Sequence, residues 1–156
     1  MQHLQKALGY TFKDPAHLRL ALTHPSTKLP DNQRLEFLGD AVLEFCVSDM
    51  LYRKYPNLRE GELTARRAAL VCERTLSAIA RSLHLGRCLI MGHGEEQTGG
   101  RTRNSILADA VESVIAACFL DGTQCSEGSR IHTLKRLRYA LEILRYALND
   151  RKCSEG

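Results

Sequence analysis

The chain has 156 residues with 44% hydrophobic and 26% charged side chains, and its formal net charge is +4. This length suits one domain with its own core and is short for two. No apolar run approaches the length of a membrane span, and the small basic excess only weakly favours an anionic partner.

The six cysteines are widely spaced and form no C-x-x-C pair, and most of them fall inside apolar, helix-like runs. This pattern predicts free thiols in a reducing compartment rather than a disulfide framework or a zinc site. The first residues, MQHLQKALGY, do not form a signal peptide. We therefore expect a cytoplasmic protein.

Helical spacing runs through almost the whole chain, and no alternating strand pattern of useful length occurs. Asp14 followed by Pro15 is typical of a helix start, and AHLRLALTH continues it with helical spacing. After the break PSTKLPDN, a long amphipathic stretch predicts a helix over about 34–55, which Pro56 ends. The predicted fold class is all-α.

The second half continues with two predicted helices, REGELTARRAALVC and ERTLSAIARSLHLG, the latter ending at Gly86. A glycine-rich polar loop, MGHGEEQTGGRTRN, follows. It is not a nucleotide-binding fingerprint, because no strand precedes it. SILADAVESVIAACFLDG then predicts a buried helix that Ser105 caps and Gly122 ends.

The last part of the chain is basic. Residues 130–152 carry seven Lys or Arg against two acids, and LRYAL occurs twice, seven residues apart. This spacing predicts a basic C-terminal helix over about 129–149 that docks on the body, and it is too short to establish a coiled coil. We treat residues 1–156 as one domain.

Two strongly apolar predicted helices each carry two acids on one face. Glu36 and Asp40 are four residues apart, and Asp109 and Glu112 are three apart. If these faces pack together, four carboxylates converge, and a divalent cation is the simplest counter-charge. Oxygen ligands without nearby His or Cys favour Mg²⁺ or Mn²⁺ over zinc. The alternative is two ordinary acidic pairs bonded to Arg or water.

Four blocks of the sequence, in this order and spacing, resemble those of the ribonuclease III family. They are ALTHPS at 21–26, RLEFLGDAVLEF at 34–45, YRKYPNLREGELTARRAALV at 52–71 and GGRTRNSILADAVESVIAACFLDG at 99–122. The resemblance covers about residues 5–122 and implies the helical endonuclease fold of that family. It also implies an endoribonuclease that works in RNA processing as a homodimer with Mg²⁺. Such enzymes cut double-stranded RNA, leaving 5′-phosphate and 3′-hydroxyl ends with short 3′ overhangs.

The resemblance assigns a role to each of the four acids and to one aromatic residue. Glu36, Asp40, Asp109 and Glu112 match the metal-binding acids of the family, and we expect Asp40 and Glu112 to matter most for catalysis. Phe37 matches an aromatic residue that inserts into the partner subunit near the dimer axis. A core phenylalanine within one subunit is the alternative for Phe37.

Contacts to RNA are expected from residues beside the acids. Arg101, Arg103 and Asn104 directly precede the second acidic helix, where a scissile phosphate would lie, although they could equally be solvated. Glu60 matches a glutamate of the family, and its position also suits the first turn of a helix. Gln33 is a departure, because the family often has glutamate there.

Nothing after Gly122 resembles the double-stranded-RNA-binding domain that bacterial members usually carry. We therefore expect weak, salt-sensitive binding of RNA. Two rival functions stay open at this point. One is a catalytically silent double-stranded-RNA-binding or assembly module on the same fold, and the other is a helical interaction protein whose acids bind a structural cation. The presence of all four acids favours the enzyme.

Overall fold

The computed structural model describes residues 1–123, and within them the chain is all-α, as predicted. The helices are α1 (Gln2–Leu8), α2 (Pro15–Ala21), α3 (Gln33–Lys54), α4 (Glu60–Leu70), α5 (Glu73–Ser82), α6 (His93–Gln97) and α7 (Asn104–Thr123). Three 3₁₀ turns lie at Pro25–Thr27, Leu85–Cys88 and Gly100–Thr102. The predicted basic helix at 129–149 lies outside the described residues.

Local sequence signals explain where the first helices begin and end. The Asp14 carboxylate accepts a hydrogen bond from the Ala16 backbone N–H at 2.9 Å, and Pro15 takes the first helical position of α2. Helix α3 ends one residue before Tyr55, just ahead of Pro56, because the residue before a proline disfavours helical geometry.

Two predicted details in the middle of the chain were wrong. Gly86 does not end α5, which stops at Ser82; His84 then adopts a left-handed conformation with φ 52° and leads into the 3₁₀ turn. This reversal buries the leucines on both sides of His84, Leu83 and Leu85. The glycine-rich segment is not only loop, because it contains α6 and a 3₁₀ turn.

The ends predicted for the last described helix also need correction. Helix α7 begins at Asn104, so Ser105 lies inside the helix and is not its cap. Gly122 does not end it either, because α7 runs on to Thr123. Within residues 1–123, no helix is long and apolar enough to cross a membrane.

Helix α7 is the centre of the fold and packs against α2, α3 and α5. Its small residues Ala110, Ala116 and Ala117 are completely buried, and they let the neighbouring helices approach closely. One close approach is at Gly39 of α3, where an added Cβ would lie 1.9 Å from the carbonyl oxygen of Glu112. The two acid-bearing helices therefore touch backbone to backbone at this point.

A buried carboxylate ties the N-terminal segment to α7. Asp121 accepts hydrogen bonds from the Tyr10 hydroxyl at 2.6 Å and from the backbone N–H groups of Lys13 and Asp14, each at 2.9 Å. Burial alone would raise the pKa of Asp121, but these hydrogen bonds lower it overall. The segment between α1 and α2 is thereby fixed on the core.

Candidate metal centre

The contact at Gly39 determines where the acids lie. Gly39 stands between Glu36 and Asp40 on α3, and it meets the backbone of Glu112 on α7. Because the two helices are in direct contact there, their acidic residues lie at the same level of the fold. A side chain at position 39 would separate the helices and with them the acids.

Three of the four predicted acids converge. One carboxylate oxygen each of Glu36, Asp109 and Glu112 lies within 4.8 Å of the other two, and all three residues are half-buried. We call these three residues the acidic cluster. Asp40 is exposed and lies at the rim of the cluster, outside this close group.

The acidic cluster is electrostatically unfavourable without a cation. Burial, together with the charges of Asp40, Asp109 and Glu36, raises the pKa of Glu112 to about 7. Burial also raises the pKa of Glu36, with further contributions from Asp109 and Asp40. Asp40 therefore acts on the cluster through its charge although it lies at the rim.

The pKa of Asp109 is raised as well, first by burial and then by the charge of Glu73 at the start of α5. The imidazole of His24 acts in the opposite direction. Sequence analysis missed Glu73, although a signal existed: it lies three residues before the buried Leu76 and seven before the buried Ala80. This spacing turns Glu73 towards the face of α5 that packs on α7.

No Lys or Arg side chain compensates the acidic cluster among the described residues. The ion pairs of residues 1–123 lie elsewhere and join Arg53 to Asp49, Arg67 to Glu44, Arg101 to Glu96 and Arg103 to Glu95. Several half-buried carboxylate oxygens without a Lys or Arg partner fit a divalent cation that prefers oxygen ligands, such as Mg²⁺ or Mn²⁺. Glu36, Asp109 and Glu112 are the residues that would hold it.

Comparison with known proteins decides the family. The family model for ribonuclease-III-like domains matches residues 14–135 of this chain. The chain belongs to the ribonuclease III family. The match covers most of the chain and continues beyond Gly122, and it confirms the resemblance drawn from the four sequence blocks.

Relatives in the ribonuclease III family agree in sequence and in structure. Ribonuclease 3 of Pelotomaculum thermopropionicum is 51% identical over 142 residues, which cover 86% of this chain and 59% of the relative. Ribonuclease 3 of Hahella chejuensis is 53% identical over 121 residues, covering 78% and 54%. The chain therefore spans little more than half the length of these curated relatives.

A solved structure covers nearly the same length as this chain. The nuclease domain of ribonuclease III from Campylobacter jejuni superposes with a TM-score of 0.84 at 39% identity. The superposition covers 94% of this chain and 96% of that one. The helical fold described above is thus the fold of a ribonuclease III nuclease domain.

The residues expected to contact RNA are engaged within the protein. Arg101 donates hydrogen bonds to the carbonyls of Gly86 at 3.1 Å and Leu89 at 2.7 Å, and it pairs with Glu96 at 2.6 Å. These bonds hold the loops that precede α7. The two neighbours are also occupied, because Arg103 pairs with Glu95 and Asn104 accepts a hydrogen bond from Arg81.

Glu60 and Gln33 are both exposed at the starts of their helices. The Glu60 carboxylate accepts a hydrogen bond from the Thr64 hydroxyl at 2.8 Å. The backbone N–H of Gln33 donates to the Asp31 carboxylate at 3.1 Å. Neither contact involves the acidic cluster. A role for Glu60 in RNA contact stays a prediction.

Phe37 points away from the core of the described chain. Its side chain is 82% exposed, so the alternative of a core phenylalanine within one subunit was wrong. Beside it lies an open groove with a largely apolar lining that includes Leu20, Leu35, Leu38 and Leu120. An exposed aromatic residue next to an apolar groove is typical of a protein–protein contact.

Proposed function

We propose that this chain is the nuclease domain of an endoribonuclease that hydrolyses phosphodiester bonds of double-stranded RNA with Mg²⁺. The products would carry 5′-phosphate and 3′-hydroxyl ends with short 3′ overhangs, as the family resemblance implies. The observation that carries the proposal is the convergence of Glu36, Asp109 and Glu112, none of which forms an ion pair with Lys or Arg of residues 1–123. Membership of the ribonuclease III family adds the reaction and the substrate class.

The acids divide into two roles in this proposal. Glu36, Asp109 and Glu112 would hold the cation from the half-buried side, while the exposed Asp40 would lie on the side that a substrate can reach. Held there, a divalent cation would lower the pKa of a bound water molecule and would stabilise negative charge on the leaving oxygen. Mn²⁺ is expected to substitute for Mg²⁺, because both prefer oxygen ligands.

The environment of Glu112 makes binding of the cation depend on pH. Because its pKa is raised to about 7, Glu112 holds a proton for part of the time at neutral pH when the cation is absent. A cation must displace this proton to bind. Affinity for the cation is therefore expected to rise with pH and to level off above about pH 7.

We also propose that the chain forms a homodimer through Phe37 and the adjacent groove. A symmetric pair would bury the exposed ring of Phe37 and would present two acidic clusters, one for each strand of a duplex. The nuclease domain from Campylobacter jejuni shows structural flexibility in a region involved in dimer formation. This region of the relative supports a dimer of the present chain.

The dimer is tested by sedimentation of the purified chain. Phe37→Ala should shift the population from dimer to monomer without unfolding it, because Phe37 contributes little to the core of one subunit. Phe37→Leu keeps an apolar side chain and should retain more of the dimer. A wild-type chain that sediments as a monomer at all accessible concentrations would contradict this part of the proposal.

The reaction is tested with an end-labelled RNA duplex of a few helical turns at low salt, with Mg²⁺ in one arm and Ca²⁺ in the other. We expect discrete products with staggered ends that depend on Mg²⁺ and can be ligated through their 5′-phosphates. Cleavage should weaken as the salt concentration rises. Contacts to the RNA phosphates release counterions on binding, and added salt therefore opposes binding. Binding without cleavage in both arms would support the silent module instead.

The cysteines bear on where in the cell the protein resides. The four cysteines within residues 1–123, namely Cys46, Cys72, Cys88 and Cys118, are free thiols. Free thiols suit a reducing compartment, which supports the expected cytoplasmic location. Fractionation of cells that express the full-length protein would test it.

A further inference from the structure

Ser113 is a completely buried polar residue that directly follows Glu112 on α7. Its hydroxyl oxygen lies 2.8 Å from the carbonyl oxygen of Asp109 and 3.3 Å from the carbonyl oxygen of Asn32. A serine hydroxyl has one proton to donate, so the two carbonyls share it. Ser113 therefore links α7 to a residue outside its own helix.

Asn32 belongs to the turn that carries Glu36. The carbonyl of Asn32 also accepts a hydrogen bond from the Glu36 backbone N–H at 2.8 Å, which forms the first turn of α3. The backbone N–H of Asn32 donates to the Thr23 carbonyl at 2.9 Å, and Asn32 is buried. The hydroxyl of Ser113 thus reaches a fixed point one turn before Glu36.

Two neighbouring residues of α7 touch α3 on either side of Glu36. Ser113 contacts Asn32, and Glu112 contacts Gly39, about two helical turns further along. Two such contacts limit both the rotation and the sliding of α3 against α7. They oppose the mutual repulsion of the acidic cluster, which would otherwise separate the helices when no cation is bound.

We propose that Ser113 is a positioning residue for the divalent cation, because its hydroxyl holds the first turn of α3 so that Glu36 stands opposite Asp109 and Glu112. This inference rests on the metal-binding role in the proposed function. It concerns geometry, since Ser113 touches none of the three carboxylates directly.

Ser113→Ala is expected to fold. The Asn32 carbonyl keeps its hydrogen bond from Glu36, so the substitution leaves no buried group of Asn32 without a partner. Ser113→Cys provides a second variant with a larger side chain and a weak donor. Ser77→Ala is the matched control, because Ser77 is also buried but its hydroxyl bonds only within its own helix, to Arg74.

The test is a titration of each chain with Mn²⁺, following free Mn²⁺ by electron paramagnetic resonance. Loss of a group that orients a metal ligand typically weakens affinity by about 10- to 100-fold, and Ser113 is one step further away. We therefore expect an affinity about three- to tenfold weaker in both Ser113 variants. Ser77→Ala should bind Mn²⁺ like the wild-type chain.

Thermal unfolding without metal separates positioning from a merely structural role. A serine with a merely structural role would lower the melting temperature in Ser113→Ala and leave the Mn²⁺ affinity unchanged. That result would overturn the positioning role of Ser113 and leave the proposed metal site standing. If the wild-type chain fails to bind Mn²⁺, the proposed metal site fails and the positioning role fails with it. A loss of affinity confined to the Ser113 variants would support the inference.

Discussion

Replacing Glu112 with Gln should make the metal-free protein more stable at pH 8, although the same change is expected to abolish cleavage. Burial and the neighbouring acids Asp40, Asp109 and Glu36 raise the pKa of Glu112 from 4.5 to about 7. A carboxyl group with a raised pKa stabilises the fold while it is protonated, and this stability is lost as the pH rises through the folded-state pKa.

The size of the effect follows from this shift. The loss develops between about pH 4.5 and pH 7. Above pH 7 it amounts to about 3 kcal/mol by the linkage relation, and residual hydration of the half-buried group reduces it to about 2 kcal/mol. Glutamine has nearly the same shape and no charge at any pH, so Glu112→Gln should recover this free energy.

The assay is urea unfolding in the presence of a chelator at pH 5 and pH 8. We expect Glu112→Gln to exceed the wild-type chain by about 2 kcal/mol at pH 8 and by less than about half of that at pH 5. Adding Mg²⁺ should stabilise only the wild-type chain and reverse the order. Asp49→Asn, which removes the half-buried partner of the exposed Arg53 on α3, is the control and should change little at either pH.

Equal or lower stability of Glu112→Gln at pH 8 without metal would refute the reasoning. It would mean that the acidic cluster carries no repulsion for a cation to relieve. An increase in stability that does not depend on pH would also contradict it, because the cause would then be packing rather than charge.

Three further substitutions test contacts that hold the fold together, each by urea unfolding. Gly39→Ala should destabilise the chain by about 1–3 kcal/mol and weaken Mn²⁺ binding, because its Cβ would meet the Glu112 carbonyl; wild-type values would contradict this contact. Asp121→Asn should cost about 2 kcal/mol at pH 7. Since the pKa of Asp121 is lowered, this difference should shrink as the pH falls through the folded-state pKa, and a constant difference would argue against it. Arg101→Ala should destabilise the chain by about 1–3 kcal/mol, since it frees the carbonyls of Gly86 and Leu89; unchanged stability with weaker RNA binding would instead favour the predicted RNA contact.

The long helices could be predicted from the sequence because their signals are local. Helix α3 has apolar spacing over many turns and a proline after its end, and α2 has Asp14 and Pro15 at its start. The short elements depend on distant contacts instead. The turn at His84 and the segment around α6 are held by Arg101, which bonds to carbonyls more than ten residues away.

The distinction between local signals and distant contacts also applies to the acidic cluster. The spacing predicted that Glu36 and Asp40 share one face of their helix and that Asp109 and Glu112 share one face of theirs. The structure brings Glu36, Asp109 and Glu112 within 4.8 Å of one another. The exposed position of Asp40 and the approach of Glu73 depend on how α3 and α5 are rotated about α7. That rotation is determined by contacts such as Gly39 with Glu112, which no single helix encodes.

The central claim is that the acidic cluster supports Mg²⁺-dependent cleavage of duplex RNA. The most direct measurement compares single-turnover cleavage of one end-labelled duplex by the wild-type, Glu112→Gln and Asp49→Asn chains across a Mg²⁺ titration. We expect rates for the wild-type and Asp49→Asn chains that rise together from zero with Mg²⁺, while Glu112→Gln stays at background throughout. Cleavage by Glu112→Gln within about tenfold of the wild-type rate, a loss of only ~1.4 kcal/mol, would contradict the claim.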